Sequence, residues 1–173
     1  MPRVTTVAKA RKSPGECGKC GSKIKKGHGY RWWKFRYGGR RVRCMESACS
    51  PKPSDLTQSE FYGNLYGIQE DVDAAIEAFR AGGGASELAG ALNDAAERLR
   101  ELGQECQDKF DNMPDGLQQG DTGQLLEQRV EGCEEKADEL DSAASEAESI
   151  TDESTDDERE EAVTAAEIDL SID

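Results

Sequence analysis

Four cysteines are the residues of this chain whose type and spacing could do chemistry. Two residues separate Cys17 from Cys20, four separate Cys44 from Cys49, and 23 lie between the pairs. Zinc takes thiolate or imidazole ligands in a tetrahedron, and two short-spaced pairs supply that shell at small cost in chain entropy. In a reducing compartment such pairs read as metal ligands before they read as disulfides. The expected shell is therefore Zn2+ held by Cys17, Cys20, Cys44 and Cys49, with Gly18 and Gly21 letting the backbone turn around the ion. His28, the one histidine, lies in a Gly27-His28-Gly29 turn and reads as a loop residue. A closed four-cysteine site has no open coordination position. No phosphate-binding glycine loop is present, and His28 has no partners placed beside it. The carboxylates fall on solvated helix faces. These observations predict a non-enzyme.

The elements that must position the cysteines follow from the segment between them. Tyr30 to Tyr37 is aromatic and β-prone, Gly38-Gly39 is a two-residue hairpin signal, and Arg40 to Cys44 returns. Closing the hairpin at that turn would set Phe35 opposite Val42 and Trp33 opposite Cys44, an apolar face abutting the metal. The other face would carry Lys34 opposite Arg43 and Arg36 opposite Arg41, with Trp32 beside them. Like charges directly opposite each other destabilise a sheet, so this face calls for an external anion. Cations with an adjacent aromatic suit phosphates and an unstacked base. Trp32, Lys34, Arg36, Arg41 and Arg43 are thus the candidate nucleic-acid contacts.

Cys17-x-x-Cys20, then Ile24 and the Lys26-Gly27-x-x-Tyr30 turn, then a hairpin, then Cys44 and Cys49 leading into a helix, resembles a treble-clef zinc finger. With the WWKFRYGG segment, the SDLTQSE helix start and the NMPDGLQQGDTGQLL loop, the chain is also similar to uncharacterised proteins of phages and prophages. The first resemblance implies a small α+β finger; the second implies no particular activity. Treble clefs serve nucleic-acid binding, protein binding and sometimes nuclease chemistry, and the nuclease form needs a His-rich site that His28 alone does not supply.

Beyond the finger the periodicity is helical. Thr57 and Glu60 form a capping box, with Leu56 and Phe61 as a hydrophobic staple. Phe61, Leu65, Ile68, Val72, Ala75 and Phe79 alternate steps of four and three, as in a bundle face or coiled-coil seam. After Gly82-Gly83-Gly84 a second seam runs through Leu88, Leu92, Ala95, Leu99, Leu102, Cys106 and Phe110. A third, capped by Asp121 and Gln124, runs through Leu126, Val130, Cys133, Ala137, Leu140, Ala144 and Ala147. Folding the last two antiparallel pairs Cys106 with Cys133 and Leu99 with Leu140, which predicts one core layer holding both remaining cysteines as small buried hydrophobes. The expected organisation is a basic flexible arm (1–14), a zinc finger with its β-hairpin (15–54), a capped amphipathic helix (55–81), an antiparallel helical hairpin of an elongated all-α bundle (85–149) and an acidic tail (150–173). Thr155 and Glu158 offer a cap for one short tail helix, in a segment whose composition otherwise reads as disordered.

The formal charge of -14 is strongly polarised. Residues 1–52 hold 15 Lys/Arg against Glu16 and Glu46, a balance of +13; the rest of the chain carries -27. A front third of that charge is drawn to polyanions. No run of apolar residues is long enough to span a bilayer, and the first residues lack the apolar core of a signal peptide. The expectation is a cytoplasmic protein, in the host cell if phage-encoded. It would bind nucleic acid through the basic hairpin and use the acidic helices for association, including self-association, or for regulation. The competing expectation is a protein-interaction adaptor or host-factor inhibitor in which the finger is only structural.

Overall fold

The computed structural model describes residues 1–151 and 154–172. They form two compact units, Met1–Gly63 and Asn64–Asp173. The first is built on a three-stranded antiparallel sheet of order β1-β4-β5, with β1 at Thr5–Val7, β4 at Tyr30–Lys34 and β5 at Arg40–Cys44. A second, two-stranded sheet pairs β2 (Gly15–Glu16) with β3 (Lys23–Ile24). Two 3-10 turns follow, at Ser47–Cys49 and Pro53–Leu56.

The segment expected as a flexible arm is instead partly a strand. Thr5, Thr6 and Val7 pair with Trp32, Arg31 and Tyr30, and Ala10 is buried, its N–H donating to the His28 carbonyl at 2.9 Å. Two threonines and a valine suit a pleated edge, which the surrounding Lys and Arg obscured.

The hairpin register also departs from expectation. Tyr30 faces Cys44, Trp32 faces Val42, Trp33 faces Arg41 and Lys34 faces Arg40. The connection is not a two-residue turn but residues 35–39, with Gly38 at φ +135 and the Tyr37 carbonyl accepting from Gln58 Nε2 at 2.6 Å. A shift of this parity turns every side chain of one strand to the other face. Burial decides it. Tyr30, Val42 and Cys44 now pack on the Cys17, Ile24 and Cys49 cluster, while Trp33, on the opposite face, is fully buried. Local turn preference is worth less than these burials.

α1 (Glu60–Arg80) begins later than the capping box predicted. Ser59 caps it, its Oγ accepting from the Tyr62 N–H, while Thr57 ends the preceding 3-10 turn. In the second unit α2 (Ala85–Asp111) and α4 (Asp121–Glu148) form the main packed pair, joined through the short α3 (Asp115–Gln118). α4 is preceded by Gly120 without a side-chain cap, so Asp121 opens the helix and does not cap it. Leu88, Leu92, Ala95, Leu99, Leu102 and Cys106 are buried on α2, and Leu126, Cys133, Ala137, Leu140, Ala144 and Ala147 on α4. Gly103 lets the two backbones approach: a Cβ there would lie 3.1 Å from that of Cys133. Arg100 reaches across to Asp138 at 2.8 Å and Asp141 at 2.7 Å, as the antiparallel folding requires.

The acidic tail is packed where disorder was expected. α5 (Asp156–Ala166) is capped by Thr155 and Glu158 in a reciprocal box and buries Ala162, Val163 and Ala166. Beyond it Leu170 and Ile172 are buried as well. Arg159 lies 4.2 Å over the Phe79 ring, Arg80 pairs with Glu167 at 2.6 Å, and the Leu170 N–H donates to Gln69 Oε1 at 2.9 Å. Few apolar residues suffice because they recur on one helical face and then alternate through Ile168, Leu170 and Ile172; average composition hides both patterns. Asp152 and Glu153, part of the predicted tail, lie outside the described residues.

Candidate metal centre

The cysteines reach the centre from three pieces of backbone, a knuckle holding Cys17 and Cys20, the end of β5 and a 3-10 turn. Cys17 leaves β2, and its N–H donates to the Ser22 carbonyl while its own carbonyl accepts from Gly21, both at 2.9 Å. Gly21 adopts φ +70, which closes this knuckle around Cys20. Gly18 ties the knuckle to the sheet by donating to the Val42 carbonyl at 2.9 Å, where a side chain would crowd Arg43. Cys44 ends β5, and the 3-10 turn folds Cys49 back beside it.

The result is four Sγ atoms all within 4.8 Å of one another, with Cys20 and Cys44 at 3.8 Å. Zinc–sulfur bonds of about 2.3 Å in a tetrahedron place the sulfurs about 3.8 Å apart. The donor set therefore fits a thiophilic ion, and these four cysteines could hold a metal ion. His28 is exposed and outside the cluster.

The electrostatics point the same way. Burial opposes charge on Cys17, yet the N–H groups of Cys20, Cys44 and Lys19 converge on its sulfur and together hold the thiol down to about 6. The Ser22 hydroxyl and N–H lower Cys20. Burial raises Cys44, and Cys49 is pushed up to about 12, first by its hydrogen bond with Cys44 and then by burial and the neighbouring sulfurs. Hydrogen bonds favour the thiolate at Cys17 and Cys20, while burial at Cys44 and the Cys44 hydrogen bond at Cys49 oppose it, a conflict that a bound cation would remove.

The five residues expected at a nucleic-acid surface are not brought to one face. Trp32 and Lys34 share the face of Cys44; Arg41 and Arg43 lie on the other, with Trp33; Arg36 is in the loop. Arg43 is occupied: it pairs with Asp55 at 2.6 Å and lies 5.7 Å over the Trp33 ring, with its side chain only 12% exposed. Lys34, Arg36 and Arg41 remain exposed. Sequence reasoning missed Arg40. Its guanidinium lies 4.4 Å over Trp32 and 5.4 Å over Tyr30, and it donates to the Tyr30 hydroxyl at 3.0 Å. Only the true register, which places Arg40 across from Lys34, could have found it.

In the second unit Cys106 and Cys133 are free and buried; burial raises both thiols, Cys133 to about 12. Among the described residues no helix is long and apolar enough to cross a membrane. No family model matches the chain, and no curated protein or solved structure is similar to it.

Proposed function

We propose that the first unit is a zinc-stabilised, treble-clef-like finger of phage type that binds nucleic acid without catalysing a reaction. The observation that carries this reading is the hairpin's unneutralised charge. Lys34, Arg36, Arg40 and Arg41 are exposed, and among the described residues none of them forms an ion pair, whereas Arg43 is satisfied internally by Asp55. Arg40 and Lys34 face each other across the strands, an arrangement that costs stability unless an anion relieves it. The nearby Trp32 and Tyr30 rings add surface for bases or sugars.

Zinc is favoured over other ions by the all-thiolate donor set and the tetrahedral spacing of the sulfurs. Its part is to fold the unit; the cations do the binding. The test is a titration of the full chain against DNA and RNA at several salt concentrations, beside elemental analysis. One zinc per chain is expected, and affinity should fall with salt on a slope of about -3 for four phosphate contacts. Lys34→Glu with Arg41→Glu should weaken binding and flatten that slope. Affinity independent of salt, or no binding at all, would sink the nucleic-acid reading.

A further inference from the structure

Two of the hairpin's aromatic–arginine pairs say more about the ligand than the charge does. At the end of β4 and β5, Arg40 covers Trp32 at 4.4 Å; in the adjoining loop, Arg36 covers Tyr37 at 5.4 Å. Tyr37 is 73% exposed. Trp32 is half-buried, in contrast to its neighbour Trp33, which is fully buried. Both covering arginines are exposed and form no ion pair among the described residues, and Arg40 also donates to the Tyr30 hydroxyl at 3.0 Å.

The geometry points to a single-stranded nucleic acid as the ligand, with unpaired bases stacking on Trp32 and Tyr37 while Arg40 and Arg36 swing from the rings to the flanking phosphates. This rests on the nucleic-acid reading above and narrows it. A paired base keeps its faces inside the duplex stack, so rings of this kind are useful only to unstacked bases. An arginine parked on an exposed ring is held less tightly than a base stacked there. Exchanging the two leaves each cation beside a phosphate and each ring covered, so little is lost in the displacement. Backbone-only binding would use Lys34 and the arginines but would not need the rings.

The two tryptophans make the idea measurable, because Trp33 is fully buried and Trp32 only half-buried. The full chain is titrated with oligodeoxythymidylate of roughly a dozen nucleotides and with a duplex of equal length, following affinity and tryptophan emission. Preference for the single strand, with quenching at saturation, is expected. Trp32→Phe should keep most of the affinity but lose most of the quenching, since Trp33 alone then emits. Trp32→Ala should weaken single-strand binding about tenfold, the loss of one stacked base, and weaken duplex binding much less. Equal affinity for duplex and single strand, or single-strand binding that leaves Trp32 emission unaltered, overturns the inference while salt-dependent binding still stands. If neither nucleic acid binds, both readings fall. The intact Trp33 emission of Trp32→Phe confirms that the variant is folded, so a lost interaction is not a lost structure.

Discussion

Cys17 and Cys49 are buried, Cys44 is intermediate and Cys20 is exposed, so the four sulfurs are chemically unequal although they share one centre. Cys44→Ser removes one sulfur of the proposed zinc shell at the point where the sheet meets the 3-10 turn. It should abolish stoichiometric zinc and broaden the amide spectrum of residues 1–63, because structural zinc contributes directly to folding in units of this size. An ordered sheet in metal-free protein would contradict this. A second residue-scale expectation concerns Glu158, whose carboxylate accepts from the Thr155 N–H at 2.6 Å and from its hydroxyl at 3.0 Å. Those bonds hold it below the usual glutamate range. A carboxylate with a depressed pKa stabilises the fold above its unfolded value and loses that contribution as pH falls through the folded one. The α5 cap should therefore be intact at neutral pH and fail in acid. Carboxyl NMR shifts of Glu158 should titrate below those of a free glutamate and move only part of the way back in Thr155→Ala, which removes the hydroxyl but keeps the backbone N–H.

At the scale of elements, two glycines of the long helices should respond oppositely to alanine. Gly90 has open space around its missing side chain, so Gly90→Ala should stabilise α2 by up to about 1 kcal/mol. A Cβ at Gly123 would lie 1.9 Å from the Gln118 carbonyl oxygen; Gly123→Ala should cost about 1–3 kcal/mol as the loop gives way. Thermal melts of the two variants, run side by side, decide the point. Leu99→Ala, at a fully buried site, should cost about 2–5 kcal/mol. Seams such as that of Leu99 were legible in the sequence because a helix repeats its buried face every three or four residues, and the α2–α4 pairing followed from one short connection. The hairpin was legible as a hairpin but not in register. Gly38-Gly39 is a strong local signal, and what overrode it was the burial of Trp33 and the pairing of β4 with Thr5–Val7. The four-cysteine cluster could be read from spacing alone; the placement of Arg40 over Trp32 could not, because it depends on which residue lies across from it. Ser59 displaced Thr57 as the α1 cap for a similar reason, since the 3-10 turn of Pro53–Leu56 claims the residues just before it.

Across the whole molecule, basic and acidic residues divide between the two units. Met1–Gly63 carries 15 Lys/Arg and four acids; Asn64–Asp173 carries seven and 32. Charge at that density in the second unit repels itself, and ion pairs such as Arg80 with Glu167 relieve only part of it. Helical stability should therefore rise with added salt, while any affinity for nucleic acid falls, two opposite salt responses in one chain. Urea melts followed by helical circular dichroism at low and high salt test the first; removing the residues after Ser154 should lower the midpoint, since Leu170 and Val163 then no longer cover their neighbours. A tail held only by solvent would leave it unchanged.

The uneven exposure of the four sulfurs also governs time. With Cys17 and Cys49 walled in and Cys20 open to solvent, a bound ion would be approached from one side only. Metal exchange would then proceed by an incoming ligand displacing Cys20 first. A small thiol or chelator able to enter beside Cys20 should strip the ion much faster than a bulky one of equal affinity, and the lifetime of the folded finger would depend on which competitor meets it.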